Sequence, residues 1–231
     1  MNRFRWGIAV VFLLVIIMTL NYTGILNSRD ANSVSAVETR TFTKYHKQEA
    51  VPVFLNKKGE EEKEKEEDVE TKLKEQANQI IELLANQNFE ELANYVHEEK
   101  GLLYSPYVNV SEDDLVFEPS EVAAFKEDTE EYVWGVEDGS GFPIELTPVE
   151  YHEEYVYQAD YLNPDEITFD NTDSRGNMVN NIKEFFPDSH QVEFYKEGQE
   201  ELDWSSLHVV FEPNEQDEWK LIALVNDEWT I

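Results

Sequence analysis

At 231 residues the chain has room for one domain of ordinary size plus appendages. It has no cysteine, which excludes disulfides, thiolate metal sites, cysteine nucleophiles and the lipid-modified cysteine of a bacterial lipoprotein. The formal charge of −32 is uneven: eleven basic residues before Leu73 meet eleven acidic ones, whereas from Leu73 onward seven Lys and Arg face 39 Asp and Glu. Such a surface repels nucleic acid and anionic lipid headgroups.

In chain order, Arg3 and Arg5 precede an apolar run from Trp6 to Leu20 that resumes weakly through Leu26. Spanning hydrocarbon takes about 20 residues, so residues 1–26 are expected to form a single transmembrane signal anchor. Arg3 and Arg5 then stay in the cytoplasm, and everything after Asn27 lies outside the membrane. The alternative is a signal peptide cleaved after Val34-Ser35-Ala36, which would release a secreted protein. An exported domain without disulfides fits a Gram-positive cell envelope. Residues 27–68 form a polar stalk and a charged linker, ending in the charge run "NKKGEEEKEKEEDVETKLKEQ", which continues into the first helix.

The acidic extracytoplasmic domain is expected over 69–231. Leu73, Ala77, Ile80, Ile81 and Leu84 recur at helical spacing and predict a helix over Val69–Ala85. Phe89, Leu92, Ala93 and Val96 predict a second. Lys100-Gly101 reads as its C-terminus, with Gly101 free to turn left-handed. "LLYSPYVNV" then predicts a strand confined to an edge or bulge by Pro106, and Pro119–Lys126 a short helix. Val133–Val136 and "IELT" predict strands around the loop "EDGSG", and "TPVEYHEEYVY" a helix with Thr147 as N-cap and Pro148 at its first position. Residues 163–181 read as irregular, and "QVEFYKEG" as a strand. Two period-2 stretches, Leu207–Phe211 and Trp219–Val225, predict a long terminal hairpin. The fold class is therefore α+β, with N-terminal helices packed on a curved antiparallel sheet. The element order suggests a nuclear-transport-factor-2-like cone.

Four motifs occurring in order, "YVHEEKGLLYSPY", "EDGSGFPIELT", "LDWSSL" and "NDEWTI", resemble a group of exported, membrane-tethered or lipoprotein-like proteins of Bacillus-type bacteria. The resemblance covers roughly residues 78–231. It implies an extracytoplasmic location and a compact α+β domain, and it supplies no catalytic residue. The chain departs from the lipoprotein-like members in lacking a lipobox cysteine, so its tether is expected to be the N-terminal helix.

Little in the chain reads as chemistry. "HEEKG" has Gly101 where a zinc protease needs its second His, so His97 reads first as a helix-end residue and second as a ligand or base. Ser105 lacks a nucleophile elbow and is followed by Pro106. Trp134, Trp204, Trp219 and Trp229 read first as core or sheet-face residues; alternatively, at the mouth of a cone, Tyr104, Trp134 and Asp203 would contact a ligand, with His97 and Ser105 as further candidates. Asp138, Asp170 and Asp173 offer hard oxygen ligands, but their spacing matches no calcium loop, so weak calcium binding is only an alternative to no cofactor. The domain is accordingly expected to be a non-catalytic envelope binding module that takes a small ligand or an envelope protein. The alternatives are a hydrolase or isomerase using an Asp/His pair, and a cation-binding envelope protein. A pocket histidine with a perturbed pKa beside a carboxylate would favour the enzyme. A pocket filled by its own Trp and Tyr would favour the interaction module.

Overall fold

The computed structural model describes residues 57–200 and 202–230, with side chains from Glu66 onward. The predicted anchor and most of the stalk lie outside the described residues, none of whose helices is long and apolar enough to cross a membrane.

Helix α1 (Lys57–Ala85) begins earlier than its apolar stripe, because the Glu and Lys of the charge run are good helix formers. Only the stripe itself is buried: Leu73, Ala77, Ile80, Ile81 and Leu84 lose essentially all exposure. Each fully buried Leu or Ile contributes roughly 1.5–3 kcal/mol. The helix ends in a Schellman turn. Gln87, at φ +48°, donates its N–H to the Leu84 carbonyl, and the Asn88 N–H reaches back to Leu83. Asn88 then caps α2 (Phe89–Leu92) by accepting the Glu91 N–H.

The second helix stops short of its predicted Val96. Beyond Leu92 the chain is taken over by strand-like bonding: the His97 N–H donates to the Leu221 carbonyl and the Leu221 N–H to the Tyr95 carbonyl, at 3.0 and 2.8 Å. Gly101 does adopt the expected left-handed conformation, at φ +72°. No side chain fits there, since a Cβ would sit 2.7 Å from the Phe117 carbonyl oxygen.

Strand β1 (Leu102–Ser105) follows, then β2 (Leu115–Phe117) and α3 (Pro119–Ala123). Next come a two-stranded sheet of β3 (Tyr132–Val136) and β4 (Pro143–Leu146), and α4 (Pro148–Tyr151), which runs into one π-helical turn at His152–Val156. Thr147 and Glu150 close a capping box at the start of α4, as the Thr-Pro sequence predicts. The remaining elements are β5 (Glu166–Phe169), α5 (Ile182–Phe185), β6 (His190–Lys196) and the long hairpin β7 (Ser205–Pro213) and β8 (Trp219–Glu228). Strands β2 and β5 and helix α5 were not anticipated. All three are short and take their register from neighbours rather than from a period of their own.

The main sheet has six strands in the order β2-β1-β8-β7-β6-β5. Contrary to the antiparallel expectation it is mixed, because β1 runs parallel to β8, with Leu103 opposite Ala223 and Ser105 opposite Val225. The intervening chain makes the crossover that a parallel pair requires. A bulge between Val210 and Phe211 shifts the β7–β8 register and adds local twist. One face of the sheet carries Val192, Phe194, Leu207, Val209, Phe211 and Leu224, in the same core as the α1 stripe. The other face buries Leu103, Val210, Ile222, Ala223 and Val225 with Ile182 and Met178.

Candidate functional site

Tyr104 and Trp134, expected as ligand contacts, pack instead against neighbouring aromatics. Trp134, from β3, stacks on Tyr151 with centroids 3.8 Å apart and planes 10° from parallel. Tyr104, from β1, packs edge-on against Trp134, Tyr151 and Phe117. The Trp134 indole N–H donates to the Leu146 carbonyl at 2.8 Å. The Tyr104 and Tyr151 hydroxyls are buried without partners, and burial pushes both well above the usual phenol range. Neither residue is among those lining the two grooves described below.

The accessible concavity lies just outside. A groove of about 720 Å³ runs between the segment following β1 and the β3–β4 hairpin. Its floor is fixed by side chains bonding to backbone. Ser105 Oγ donates to the Tyr107 carbonyl, and Asn181 brackets Val110 by accepting its N–H at 2.7 Å and donating to its carbonyl at 2.9 Å. The hairpin loop is tied across the groove by the Asp138 N–H, which donates to Tyr107 Oη at 3.0 Å. The walls are apolar at Pro106, Val133, Val136 and Met178, and acidic at Asp113, Asp114, Glu137 and Asp138. Among the described residues, no lysine or arginine lines it. Burial raises the Asp114 carboxyl above its ordinary value, against the pull of the Ser105 hydroxyl and the Ser111 N–H, with Asp113 adding to the rise. Tyr107 is raised by burial and by the negative field of Glu228, Asp138 and Glu137.

A second cleft, of about 670 Å³, lies between the start of α1 and the edge of the sheet. His190 Nδ1 meets Asp170 Oδ2 at 2.6 Å. Asp170 is itself locked by exchanging backbone and side-chain bonds with Gln191, at φ +50°. The imidazole stacks on Phe169 and meets Trp219 edge-on, and Glu66, Glu67 and Glu70 form the opposite wall.

On the face of β6 and β7 away from α1 lies a buried polar cluster whose edge, at Arg175 and Glu166, reaches the surface. Glu193, 2% exposed, accepts from Arg175, Thr168 Oγ1 and Ser206 Oγ. Burial alone would raise its carboxyl, but Arg175, His208 and the two hydroxyls hold it down at about 2. His208 meets Gln191 Oε1 at 3.0 Å through Nδ1, while Nε2 lies 4.0 Å from Asp227.

The structure scatters the residues singled out from sequence. His97 is buried, and its Nδ1 accepts the N–H groups of Glu99 and Lys100, both at 3.2 Å, so it caps a turn. Tyr104 and Trp134 lie in the core. Asp203 sits apart from them, in a hollow beside Trp204 and Trp229. Ser105 and Asp138 are brought together in the groove. Asp170 bonds His190, and Asp173 lies in the segment after β5, its N–H held by Asn171. Among the described residues, no three His, Asp or Glu side chains converge as a metal site. Arg175, Glu193 and His190 were not anticipated. Arg175 carried a usable signal: it is one of only seven basic residues in the acidic part of the chain. Compared with known proteins, the chain matches no family model, no curated protein and no solved structure.

Proposed function

We propose that the chain is a non-catalytic binding module of a bacterial cell envelope, held at the membrane by its N-terminal segment and binding through the groove beside β3. The observation that carries this reading is the Trp134–Tyr151 stack, which with Tyr104 fills the space where a cone-shaped enzyme would hold substrate. The α1 stripe over one face of a twisted mixed sheet supports a nuclear-transport-factor-2-like architecture with its interior closed. The apolar surface left exposed on and beside the groove supports its use: Val133 and Val136 on its wall are 53% and 56% exposed, and Phe142, next to the lining loop residue Gly141, is 68% exposed. The acidic domain would then face the outside, and protease added to intact protoplasts should remove it. A photoreactive benzoylphenylalanine replacing Phe142 in the full chain in cells should form a discrete adduct, and one replacing Glu82, exposed on α1, should not. Equal labelling from both positions, or none from Phe142, contradicts the assignment.

The second reading is an acid–base enzyme, favoured by the Asp170–His190 pair in its own cleft. A carboxylate that fixes one imidazole nitrogen leaves the other to move a proton. Among the described residues, those lining the cleft include no hydroxyl nucleophile and no lysine or arginine to hold an oxyanion. If this reading holds, hydrolysis of a panel of chromogenic esters should be abolished by His190→Gln and untouched by His208→Gln.

A further inference from the structure

The assignment of the groove as the binding surface leaves open what it binds, and the groove's chemistry narrows that. Plain strand alternation would turn Val133 outward and Val136 inward, either side of buried Trp134. The register of β3 against β4 shifts between Val133 and Val136, around Gly135. Bulges of this kind re-aim side chains, and here Val133 and Val136 both emerge on the groove wall. Two apolar side chains are thus presented to solvent by a strand that, among the described residues, is paired on one side only, with β4. An unpaired strand edge beside exposed apolar side chains is the arrangement by which extended peptides are held, with backbone bonds for affinity and alternate side chains for selection.

Charge supplies the rest. Asp113, Asp114, Glu137 and Asp138 surround these valines with no basic side chain among the lining residues. Burial of the Asp114 carboxyl without a counter-charge already disfavours its ionised form. A cation brought close to it would be attracted by every carboxylate on the rim, while an anionic segment would be repelled and a neutral polar one would gain only hydrogen bonds.

We propose that the groove binds an extended segment of a partner protein in which basic and apolar side chains alternate. The apolar residues lie against Val133, Val136 and Pro106, and the basic residues reach Asp114 and Asp138. This rests on the groove being the binding surface.

The test uses the detergent-solubilised full chain with methyl-labelled valine, titrated with the peptide Gly-Lys-Val-Arg-Val-Lys-Val-Gly. Two controls accompany it: one with every Val replaced by Gly, and one with every Lys and Arg replaced by Glu. The expected result is saturable movement of the Val133 and Val136 methyl resonances by the alternating peptide alone. Its affinity should fall at least tenfold in an Asp114→Asn, Asp138→Asn double variant, in which the backbone bonds of both positions can persist. It should also fall severalfold in a Val133→Ser, Val136→Ser variant of unchanged thermal midpoint. A control peptide that moves the same resonances as strongly, or an affinity unchanged in the aspartate variant, overturns the class of partner while leaving the groove as the binding surface. If no peptide moves these resonances, both the partner class and the groove assignment fail.

Discussion

The two faces of the central sheet solve the same burial problem by opposite means. On the α1 side, Val192, Phe194, Leu207, Val209 and Phe211 meet helix side chains and a chain of stacked aromatics, so burial there is almost wholly apolar. On the other side of β6 and β7, beside a smaller apolar cluster around Val210 and Ala223, the alternate residues Gln191, Glu193, Ser206 and His208 are buried at 0–2% exposure and held by hydrogen bonds. Arg175 is the pin. It bonds Glu193 and Glu166 and lies 4.2 Å from the Tyr195 ring centroid, which fastens the Asn- and Asp-rich segment after β5 against the sheet. That segment continues into Met178 and Asn181, which line and brace the groove. The apolar face is tolerant in chemistry and strict in volume. The polar face is strict in chemistry, because each group depends on a particular partner.

Breaking the apolar face should have the largest effect. Trp134→Ala removes the ring stacked on Tyr151 and should destabilise the domain by about 3–5 kcal/mol in urea unfolding. Breaking the polar face by Arg175→Met strands the Glu193 carboxylate and should cost about 3 kcal/mol. The comparison is sharpened by Arg175→Met combined with Glu193→Met, which removes both charges and should recover most of that loss. No second substitution should restore the Trp134→Ala variant in this way. A double variant as unstable as Arg175→Met alone would mean that the segment is held by packing rather than by the charge pair.

A third effect should be visible against pH. His152, in the π-helical turn, bonds the Leu84 carbonyl at 3.0 Å through Nε2. Burial holds its pKa down at about 4, against the opposing pull of the Leu84 carbonyl and Glu153. The folded protein therefore takes up this proton less readily than the unfolded chain, whose histidine titrates near 6.5. Its contribution is present in full above pH 6.5 and is lost as pH falls from there toward about 4. Unfolding midpoints measured across that window should slope less in His152→Gln than in the parent chain. The smallest effect is expected at the half-exposed pair on the sheet edge. Asp170→Asn retains a residue that tolerates the left-handed backbone and should change stability by less than about 1 kcal/mol.

The division between legible and illegible features follows the range of the interactions that make them. The α1 stripe, the Thr147–Pro148 cap, the left-handed Gly101 and the terminal hairpin are set by residues within a few positions of one another, and each was readable. Strand β5 was not, because Glu166–Phe169 pairs only with β6 and has partly exposed side chains on both faces. The parallel β1–β8 pairing joins opposite ends of the domain, and no local signal announces it. The same limit governs the sites. Ser105 and Asp138 were each singled out from sequence, but the groove that unites them is made by the β3–β4 hairpin folding across the end of β1. The first reading of Trp134 as a core aromatic agrees with its burial, whereas its stacking partner Tyr151 and the burial of Tyr104 beside them come from tertiary packing.

The most direct test of the account is ¹⁹F NMR of the full chain labelled with 5-fluorotryptophan, screened against small apolar and aromatic fragments. The chain has five tryptophans, and substitution of each in turn to Phe assigns its resonance. If the interior is filled by its own side chains, the Trp134 resonance should stay unmoved by every fragment. A fragment that shifts Trp134 selectively and saturably would show that the aromatic interior opens to ligands, and would contradict the proposal that this domain binds from its outer groove.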